Sequence, residues 1–345
     1  MKMKGVTLPG DLSVRFHEYE IPKPDYGQVL IRIKAITLCG SDKMLYTGKA
    51  RFPRKENLIN GHEVAGVIME EGDGLRLFHK GDRVIVYHHS GCGICYSCRK
   101  GYVNLCRSTS QATYGWQRDG GLAEYMIAEE KDLIKLPDSM SYLDGTPLTC
   151  SFGAVYEAMK KVTVSGDHSV AVTGLGPVGL SCLMLAKAMG AKPVIGIDHN
   201  AYRRELALRM GWADAVFTPK EAMEGVRSLT GNQGVERAFD ASGDENARRQ
   251  AIDLTRECGK CTFLGEGGKA DFEPTRTLIH AQKTIQGSWA SPVWQLEDLM
   301  ERLERWNLHP EKLVTHTFRL DQAAEMFALM NSDQCGKVAV VFDED

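Results

Sequence analysis

Three glycines in the stretch HSVAVTGLGPVGLSCLMLAKAMGAKPVIGID constrain the fold more than any other feature of this chain. Gly174, Gly176 and Gly179 form G-x-G-x-x-G directly after an apolar strand pattern, and a helix pattern follows them. The next strand ends at Asp198, nineteen positions beyond the last glycine. In this context the first glycine permits a tight turn, the second lets a pyrophosphate approach the helix N-terminus, and the third allows close helix–strand packing. The motif therefore predicts a dinucleotide site rather than an ordinary βα turn.

The acidic residue that ends the second strand indicates which dinucleotide is bound. Asp198 would accept hydrogen bonds from the adenosine ribose hydroxyls and repel a 2′-phosphate, which favours NAD. Arg203 and Arg204 follow closely and could accommodate that phosphate, so NADP stays as the less favoured alternative.

Alternating strands and helices continue after this motif, whereas the flanking parts of the chain differ. WADAVF, VERAFDASG, CTFLGEGG and TIQGSWA resemble strands, separated by helical segments such as ENARRQAIDLTREC. The N-terminal part instead shows short strands such as VLIRIKAI, and the tail adds two helical patterns and the strand KVAVVF. The predicted fold class is α/β, with a β-rich domain over 1–151 and 291–345 and a dinucleotide-binding domain over 152–290.

The composition favours small-molecule chemistry. The chain has 345 residues, 42 basic and 45 acidic side chains, and a formal net charge of −3. This balance offers no basic surface for nucleic acid and no polybasic membrane segment. Because no apolar run approaches the roughly 18 residues of a transmembrane helix and the N-terminus has no apolar signal segment, we expect a cytoplasmic protein.

Four cysteines at C-x2-C-x2-C-x7-C spacing are the strongest metal signal. Cys92, Cys95, Cys98 and Cys106 can surround one ion tetrahedrally, and thiolates are the ligands that structural zinc prefers. Two disulfides, or thiols packed as small hydrophobes, are the alternatives. A closed cage of this kind would stabilise a lobe at about 88–110, but it has no open position for a substrate.

A second set of possible ligands is dispersed along the chain. The motifs CGSD and GHE contribute Cys39 and His62. A thiolate and an imidazole so far apart need a further ligand from elsewhere in the fold, and Cys150 is the candidate. These three would leave a fourth zinc position for water or substrate, as catalysis requires. A buried thiol and a hydrogen-bonded histidine without metal are the structural alternative.

Taken together, the motifs resemble those of the zinc-containing medium-chain alcohol and polyol dehydrogenases, in the branch of the sorbitol and threonine enzymes. The matching pieces are, in order, CGSD, GHE, the four-cysteine lobe, DGGLAEY, the cysteine before AVYEAM, GLGPVG and the acidic residue that ends the next strand. The resemblance implies a GroES-like, β-rich catalytic domain and a doubly wound Rossmann domain, with one catalytic and one structural zinc per chain. It also implies a homodimer or homotetramer.

The resemblance assigns roles to individual residues. Ser41 would take the substrate proton, Asp42 would lie behind the zinc ligand His62, and Glu63 would be the acidic residue beside the metal. His88 would line the substrate pocket. The residues implied at the cofactor are Gly174, Gly176, Pro177, Val178, Gly179, Asp198, Arg203, Leu264, Gly265 and Glu266.

Two positions depart from parts of this family. Cys150 stands where sorbitol-type members carry a glutamate, although other alcohol dehydrogenases carry a cysteine there. Met44 stands where many members have a histidine that passes the proton to solvent. Because a thioether cannot carry a proton, we expect the proton to leave through water or another residue.

The predicted function is the reversible NAD-linked oxidation of a secondary alcohol, such as a polyol, sugar or cyclitol, to a ketone. His88, together with Tyr114, Trp116, Trp289 and Glu266, would combine aromatic walls with hydrogen-bonding groups, although these aromatic residues could instead pack the interior. Threonine or simple alcohol oxidation is the alternative. A non-redox zinc enzyme or an NAD-binding protein without activity is less favoured, because all the implied catalytic residues are present.

The remaining cysteines carry no metal-ligand pattern. Cys258 and Cys261 form C-x2-C beside a Rossmann strand, where core packing is more common than a redox pair. Cys182 and Cys335 are interpreted in the same way.

Overall fold

The structure is a computed structural model that describes residues 1–50 and 57–342. Its strands are β1 (Lys2–Thr7), β2 (Arg15–Glu20), β3 (Gln28–Thr37), β4 (Glu63–Glu71), β5 (Arg83–Val86), β6 (His89–Ser90), β7 (Ala112–Thr113), β8 (Tyr125–Glu129), β9 (Leu133–Lys135), β10 (Val170–Thr173), β11 (Val194–Ile197), β12 (Ala215–Phe217), β13 (Val235–Asp240), β14 (Thr255–Phe263), β15 (Thr284–Gly287), β16 (Val314–Phe318) and β17 (Lys337–Val341). Its α-helices are α1 (Gly40–Tyr46), α2 (Tyr96–Arg99), α3 (Tyr142–Gly145), α4 (Ser151–Val162), α5 (Pro177–Ala188), α6 (Ala201–Arg209), α7 (Ala222–Leu229), α8 (Glu245–Leu254), α9 (Trp294–Trp306) and α10 (Ala323–Asn331).

The chain divides into two units, Met1–Gly153 with Ser291–Asp345, and Ala154–Ala290. We call them the first and the second unit. The main sheet of the first unit has the order β16-β17-β3-β4-β5-β9, and β8 also pairs with β3. The tail returns to this sheet because β17 pairs antiparallel with β3. In β3, Ile31 and Ile33 are fully buried while Arg32 and Lys34 are only partly buried, as expected for a half-buried strand.

Strand register in the first unit brings distant residues together. Thr37, at the end of β3, pairs with Glu63, at the start of β4, and also with Ala339 of β17. The segments that follow β3, precede β4 and begin β17 therefore meet at one end of the sheet. This end of the sheet carries the candidate catalytic cluster.

The second unit contains a six-stranded sheet in the order β12-β11-β10-β13-β14-β15, with all neighbouring pairs parallel. Two mononucleotide-binding halves meeting in this order form the doubly wound Rossmann arrangement. The strand order reverses between β10 and β13, and ligands of such sheets bind at the carboxyl ends of the strands at that point. The predicted α/β fold class is confirmed.

Two elements differ from the sequence-based expectation. β1, which was not predicted, pairs along its whole length with β2. The helix expected over ENARRQAIDLTREC ends at Leu254, because Thr255 already pairs in parallel with Val235 of β13. Nearby, Cys258 takes a φ of 57°, a left-handed conformation that a helix would not tolerate.

Candidate active site

The CGSD motif forms the N-terminus of α1 in the first unit. Cys39 is the N-cap residue in extended conformation, and its backbone N–H donates to Oδ2 of Asp42 at 2.8 Å. The other oxygen of this fully buried carboxylate, Oδ1, lies 3.3 Å from Nδ1 of His62. One aspartate thus fixes the turn that presents the thiol and also faces the imidazole, which is the arrangement expected behind a metal-binding histidine.

Two thiols, one imidazole and one carboxylate converge at this end of the sheet. The Sγ atoms of Cys39 and Cys150 lie 3.6 Å apart. One ligand atom from each of Cys39, His62, Glu63 and Cys150 lies within 4.8 Å of the others. A tetrahedral zinc with metal–sulfur bonds of about 2.3 Å separates its ligands by about 3.8 Å. The chemistry and spacing of this cluster fit a zinc ion.

The electrostatics of the cluster stabilise one thiolate, because the pKa of Cys39 is lowered while the Cys39 sulfur and burial raise the pKa of Cys150 well above its usual value. The pKa of Cys39 is well below that of an ordinary thiol, because the Cys150 thiol donates to its sulfur and because His62 and Lys337 lie close by. Burial alone would lower the pKa of His62, but the Asp42 carboxylate and the Cys39 sulfur together raise it well above its usual value. A buried site that stabilises a thiolate favours the binding of a soft divalent cation.

A lysine that sequence reasoning missed completes the cluster. Lys337, at the start of β17, is fully buried, and its Nζ lies 2.5 Å from Oε2 of Glu63. The same ammonium donates to the carbonyl of Leu38 at 3.0 Å, and the hydroxyl of Thr37 also donates to Oε2 of Glu63. Burial opposes the charge of Lys337, but Glu63, Cys39 and Cys150 together raise the pKa of the ammonium. A charged residue at the first position of an apolar strand was the available sequence signal.

Histidines and hydroxyls surround the cluster. The ring centroids of His62 and His88 lie 5.1 Å apart, and those of His88 and His89 lie 4.1 Å apart. Burial, together with the neighbouring histidines, lowers the pKa of His88 well below its usual value, so this imidazole is neutral. The Nδ1 atom of His88 and the hydroxyls of Thr149 and Ser151, which flank the second thiol, are buried without a hydrogen-bond partner among the described residues.

Other predicted pocket residues lie in different surroundings. Ser41 and Met44 are partly buried in α1. Tyr114 is fully enclosed, and its hydroxyl donates to Asp132 at 3.1 Å. Trp116 belongs to the same hydrophobic core. The structure therefore supports the packing alternative for these two aromatic residues, whereas Trp289 in the second unit is half exposed.

The four-cysteine lobe contains a second metal-ligand set. The sulfurs of Cys92, Cys95, Cys98 and Cys106 lie within 4.8 Å of one another, and those of Cys95 and Cys106 are 4.0 Å apart. The backbone N–H of Cys98 and neighbouring thiols lower the pKa of Cys95 to about 6. Backbone N–H groups of Cys92 and Cys95 point to sulfur atoms at 3.4 Å. All four cysteines are free thiols, so the disulfide alternative is not supported and the set fits a structural zinc.

The glycine loop of the second unit has the shape of a dinucleotide cradle. Gly174 has a φ of 84°, and a Cβ there would lie 2.6 Å from Ser242, which follows β13 at the switch point. A Cβ on Gly179 would lie 1.8 Å from the carbonyl oxygen of Gly174, so helix and loop touch. A Cβ on Gly176 would meet nothing closer than Arg203, at 4.0 Å. Space therefore remains above the N-terminus of α5, where Pro177 and Val178 begin the helix.

The remaining cofactor candidates surround this loop. The carboxylate of Asp198 accepts backbone N–H groups from Leu175 at 2.6 Å and Asn200 at 2.7 Å. Arg204 donates to the carbonyl of Asp198 at 2.7 Å. Leu264 and Gly265 follow β14, and their N–H groups donate to the carbonyl of Asp240; Glu266 comes next.

Among the other cysteines, the expectation of core packing is confirmed for three and wrong for one. Cys182, Cys261 and Cys335 are buried. Cys258 is exposed, because the left-handed residue that precedes Gly259 points its side chain outward.

A third acidic and histidine group lies away from both metal-ligand sets. His309 Nδ1 lies 2.9 Å from Asp144, and the backbone N–H of Glu311 donates to the same carboxylate at 3.0 Å. These hydrogen bonds connect α3 to the segment after α9, so they explain the group without a metal ion.

These two units, with two zinc-type ligand sets and a dinucleotide cradle, define a zinc-dependent nicotinamide oxidoreductase. Comparison with known proteins specifies the class further. Residues 25–138 match the alcohol dehydrogenase GroES-like domain, and residues 177–305 match the zinc-binding dehydrogenase family.

Full-length relatives agree with these matches. The uncharacterised zinc-type alcohol dehydrogenase-like protein YphC of Escherichia coli K12 is 41% identical, with 99% of each chain covered. The L-threonine 3-dehydrogenase of Pyrococcus horikoshii is 34% identical, with 96% of each chain covered. The solved structure of the short chain alcohol dehydrogenase rspB of Escherichia coli CFT073, complexed with NADH, superimposes with a TM-score of 0.88 at 27% identity and 99% coverage of each chain.

The chain belongs to the zinc-containing medium-chain alcohol dehydrogenase family. It is an NAD(P)-dependent oxidoreductase, and the predicted resemblance, enzyme class and cofactors are confirmed. Within the described part of the chain, the helices are too short or too polar to cross a membrane.

Proposed function

We propose that the chain catalyses the reversible NAD-linked oxidation of a hydroxyl-rich secondary alcohol to a ketone, at a zinc held by Cys39, His62 and Cys150. The observation that carries the proposal is the convergence of Cys39, His62 and Cys150 beside a Glu63 carboxylate that is already paired with Lys337, because three protein ligands leave one position for a substrate. A zinc bound there supplies Lewis acidity that polarises the substrate oxygen. The four-cysteine set would hold the structural zinc.

The protein residues around this set have distinct tasks in the proposal. Ser41, in the first turn of α1, accepts the substrate proton. Asp42 keeps the imidazole of His62 oriented through its Nδ1 side, 3.3 Å away. Met44, one turn beyond Ser41 on the same helix, cannot take part in a proton relay, so the proton leaves through water.

The second unit supplies the hydride acceptor in the proposal. The open space above Gly176 admits the pyrophosphate of NAD to the N-terminus of α5. Asp198 recognises the ribose, and Arg203 lies beside the same loop. Val178 and the segment Leu264 to Glu266 border the nicotinamide. In this assignment 1–151 with 291–345 is the catalytic domain and 152–290 the cofactor domain.

Unsatisfied polar atoms beside the cluster favour a substrate with several hydroxyls. The Nδ1 atom of His88 and the hydroxyls of Thr149 and Ser151 are buried without a partner among the described residues. Leaving such an atom unpaired costs about 1–3 kcal/mol, so partners are expected in the working enzyme. Additional hydroxyl groups of a polyol, sugar or cyclitol would supply such partners in the bound state, whereas ethanol has only the hydroxyl that reacts.

L-threonine is a second candidate, because the threonine dehydrogenase of Pyrococcus horikoshii is 34% identical over nearly the whole chain. The reacting hydroxyl of threonine is also that of a secondary alcohol. Its carboxylate, however, would need a cation. Of the described residues that form the catalytic cluster, the cation Lys337 is already paired with Glu63.

A substrate panel distinguishes these candidates. Polyols, cyclitols, sugars, simple alcohols and L-threonine would be tested with NAD and with NADP, and nicotinamide reduction would be followed. The proposal expects the highest kcat/KM with NAD and a polyhydroxylated secondary alcohol. A preference for L-threonine would establish the second candidate, and no reduction with any alcohol would refute both. Light scattering after size exclusion would test the proposed homodimer or homotetramer.

A further inference from the structure

The two oxygens of the Glu63 carboxylate have different surroundings. Oε2 is held by the ammonium of Lys337 at 2.5 Å and by the hydroxyl of Thr37. Oε1 is buried and has no hydrogen-bond partner among the described residues. A carboxylate oxygen of this residue also lies within 4.8 Å of the ligand atoms of Cys39, His62 and Cys150. Glu63 is therefore within reach of the metal site but is held on one side.

Lys337 is an unusual residue at this position. An ammonium that is fully removed from solvent is strongly destabilising unless it is paired. Its partners are Glu63 and the carbonyl of Leu38, the residue directly before the metal-ligand candidate Cys39. The lysine reaches them because β17 pairs with β3, so it joins the C-terminal strand to the segment that presents the thiol.

The balance of charges around the metal site depends on Lys337. A zinc ion with two thiolates and a neutral imidazole has no net charge, and Glu63 and Lys337 then neutralise each other. Without the ammonium, Glu63 would be an unpaired buried anion whose nearest cation is the zinc. Because carboxylate oxygens are good zinc ligands, the carboxylate would move to the metal.

We propose that Lys337, assisted by Thr37, is a positioning residue that holds Glu63 away from the zinc and so keeps the fourth ligand position open for substrate. The proposal rests on the proposed function, since it assumes a zinc at Cys39, His62 and Cys150. It predicts that loss of the lysine leaves the metal bound but lets Glu63 occupy the open position. A purely structural ion pair would instead affect stability without affecting access to the metal.

Azide binding to the cobalt-substituted full-length chain tests access without any substrate. Azide should change the visible absorption of wild type with a saturable dependence, and the four-cysteine cage should not respond because it has no free position. In Lys337→Gln the azide Kd should rise about tenfold or more, because Glu63 competes. In the double variant Lys337→Gln with Glu63→Gln it should return close to wild type, and Lys337→Arg should stay close to wild type throughout.

The results are scored on chains that retain two metal ions. An unchanged azide Kd in Lys337→Gln, or no recovery in the double variant, would overturn the proposal. If Lys337→Gln does not fold, Thr37→Val decides, because it removes only one hydroxyl from the same carboxylate oxygen and should raise the azide Kd about threefold. An unchanged Kd in that variant would equally overturn it. Failure of the proposed function would appear separately, as absence of turnover in wild type that still binds azide.

Discussion

Asp132 shows how a single buried carboxyl makes the stability of the chain depend on pH. It is almost fully enclosed beside Tyr114, whose hydroxyl donates to it, and Lys131 lies 3.5 Å away. Burial dominates over these partners and raises the pKa of Asp132 from an ordinary 3.8 to about 6. The folded chain therefore holds this proton more tightly than the unfolded chain does.

The substitution Asp132→Asn tests this effect. Between pH 3.8 and about 6 the folded state binds more protons at this site, so the contribution of Asp132 to the free energy of unfolding falls as pH rises. Above pH 6, where Asp132 is ionised in both states, its burial lowers the free energy of unfolding by a constant amount of about 3 kcal/mol. Asparagine keeps an acceptor for Tyr114 and removes the penalty. The Tm of Asp132→Asn relative to wild type should therefore increase across this window.

The matched control is Asp138→Asn, because the side chain of Asp138 is fully exposed. Its Tm should follow the wild-type profile. A constant Tm difference between Asp132→Asn and wild type from pH 4 to 7 would contradict the raised pKa.

Individual residues also show where sequence reasoning ends. Cys39, His62 and Cys150 were identifiable from motifs, and the structure brings them together. Lys337 was not, because it contacts Leu38 across 299 positions and only strand pairing makes them neighbours. Tyr114 and Trp116 were equally ambiguous, since an aromatic residue in a loop can line a pocket or fill a core.

Two glycines of the glycine motif are expected to have different tasks, one in cofactor binding and the other in the packing of α5 against the loop. The Cβ of Gly176→Ala would meet nothing closer than 4.0 Å, but it would occupy the pyrophosphate space. The Kd for NADH should rise about tenfold or more, with the Tm of the cofactor-free chain within about 2 °C of wild type. NADH fluorescence titration and thermal melts measure both quantities.

The variant Gly179→Ala is the matched comparison. Its Cβ would lie 1.8 Å from the carbonyl oxygen of Gly174, so α5 must move away from the loop. Both the Tm and NADH affinity should fall. If Gly176→Ala lowered the Tm as much as Gly179→Ala does, the distinction between cradle and packing glycines would be wrong.

The four-cysteine lobe is expected to be structural. Cys95→Ser should reduce zinc from two ions to one per chain and lower the Tm by about 5 °C or more, because metal binding stabilises the fold of such loops. The remaining ion should stay in the catalytic set. Cys258→Ser, at an exposed thiol, should keep both ions and the wild-type Tm. Retention of two ions in Cys95→Ser, by elemental analysis, would contradict the assignment.

Elements that short sequence motifs define could be predicted from the sequence. Elements whose existence or end depends on pairing with a distant strand could not. The glycine loop follows from local backbone geometry, so its strand–loop–helix context was evident. The end of α8 was not, because helical periodicity in ENARRQAIDLTREC extends past Leu254 while pairing with β13 ends the helix there. β1 was not predicted either, because its pairing with β2 and the burial of Met3 and Val6 depend on residues distant in sequence.

In the molecule as a whole, the strand order of the main sheet in the first unit brings together candidate metal ligands that are far apart in the sequence. The pairing of β3 with β4 and β17 gathers a thiol, an imidazole, a carboxylate and an ammonium, and Cys150, directly before α4, adds the second thiol. The second unit independently forms a dinucleotide cradle at its switch point. The sequence predicted both units because each carries short motifs. The proposed substrate class rests instead on unsatisfied polar atoms, which only the packed structure reveals.

The most direct test compares wild type with His62→Ala, measuring zinc content, NADH affinity and nicotinamide reduction with the best alcohol of the panel. We expect His62→Ala to fold, to bind NADH like wild type and to retain the structural zinc, while its kcat/KM falls by about a thousandfold or more. Near-wild-type turnover in His62→Ala, or in wild type whose catalytic zinc has been removed, would contradict zinc-dependent alcohol oxidation at this cluster.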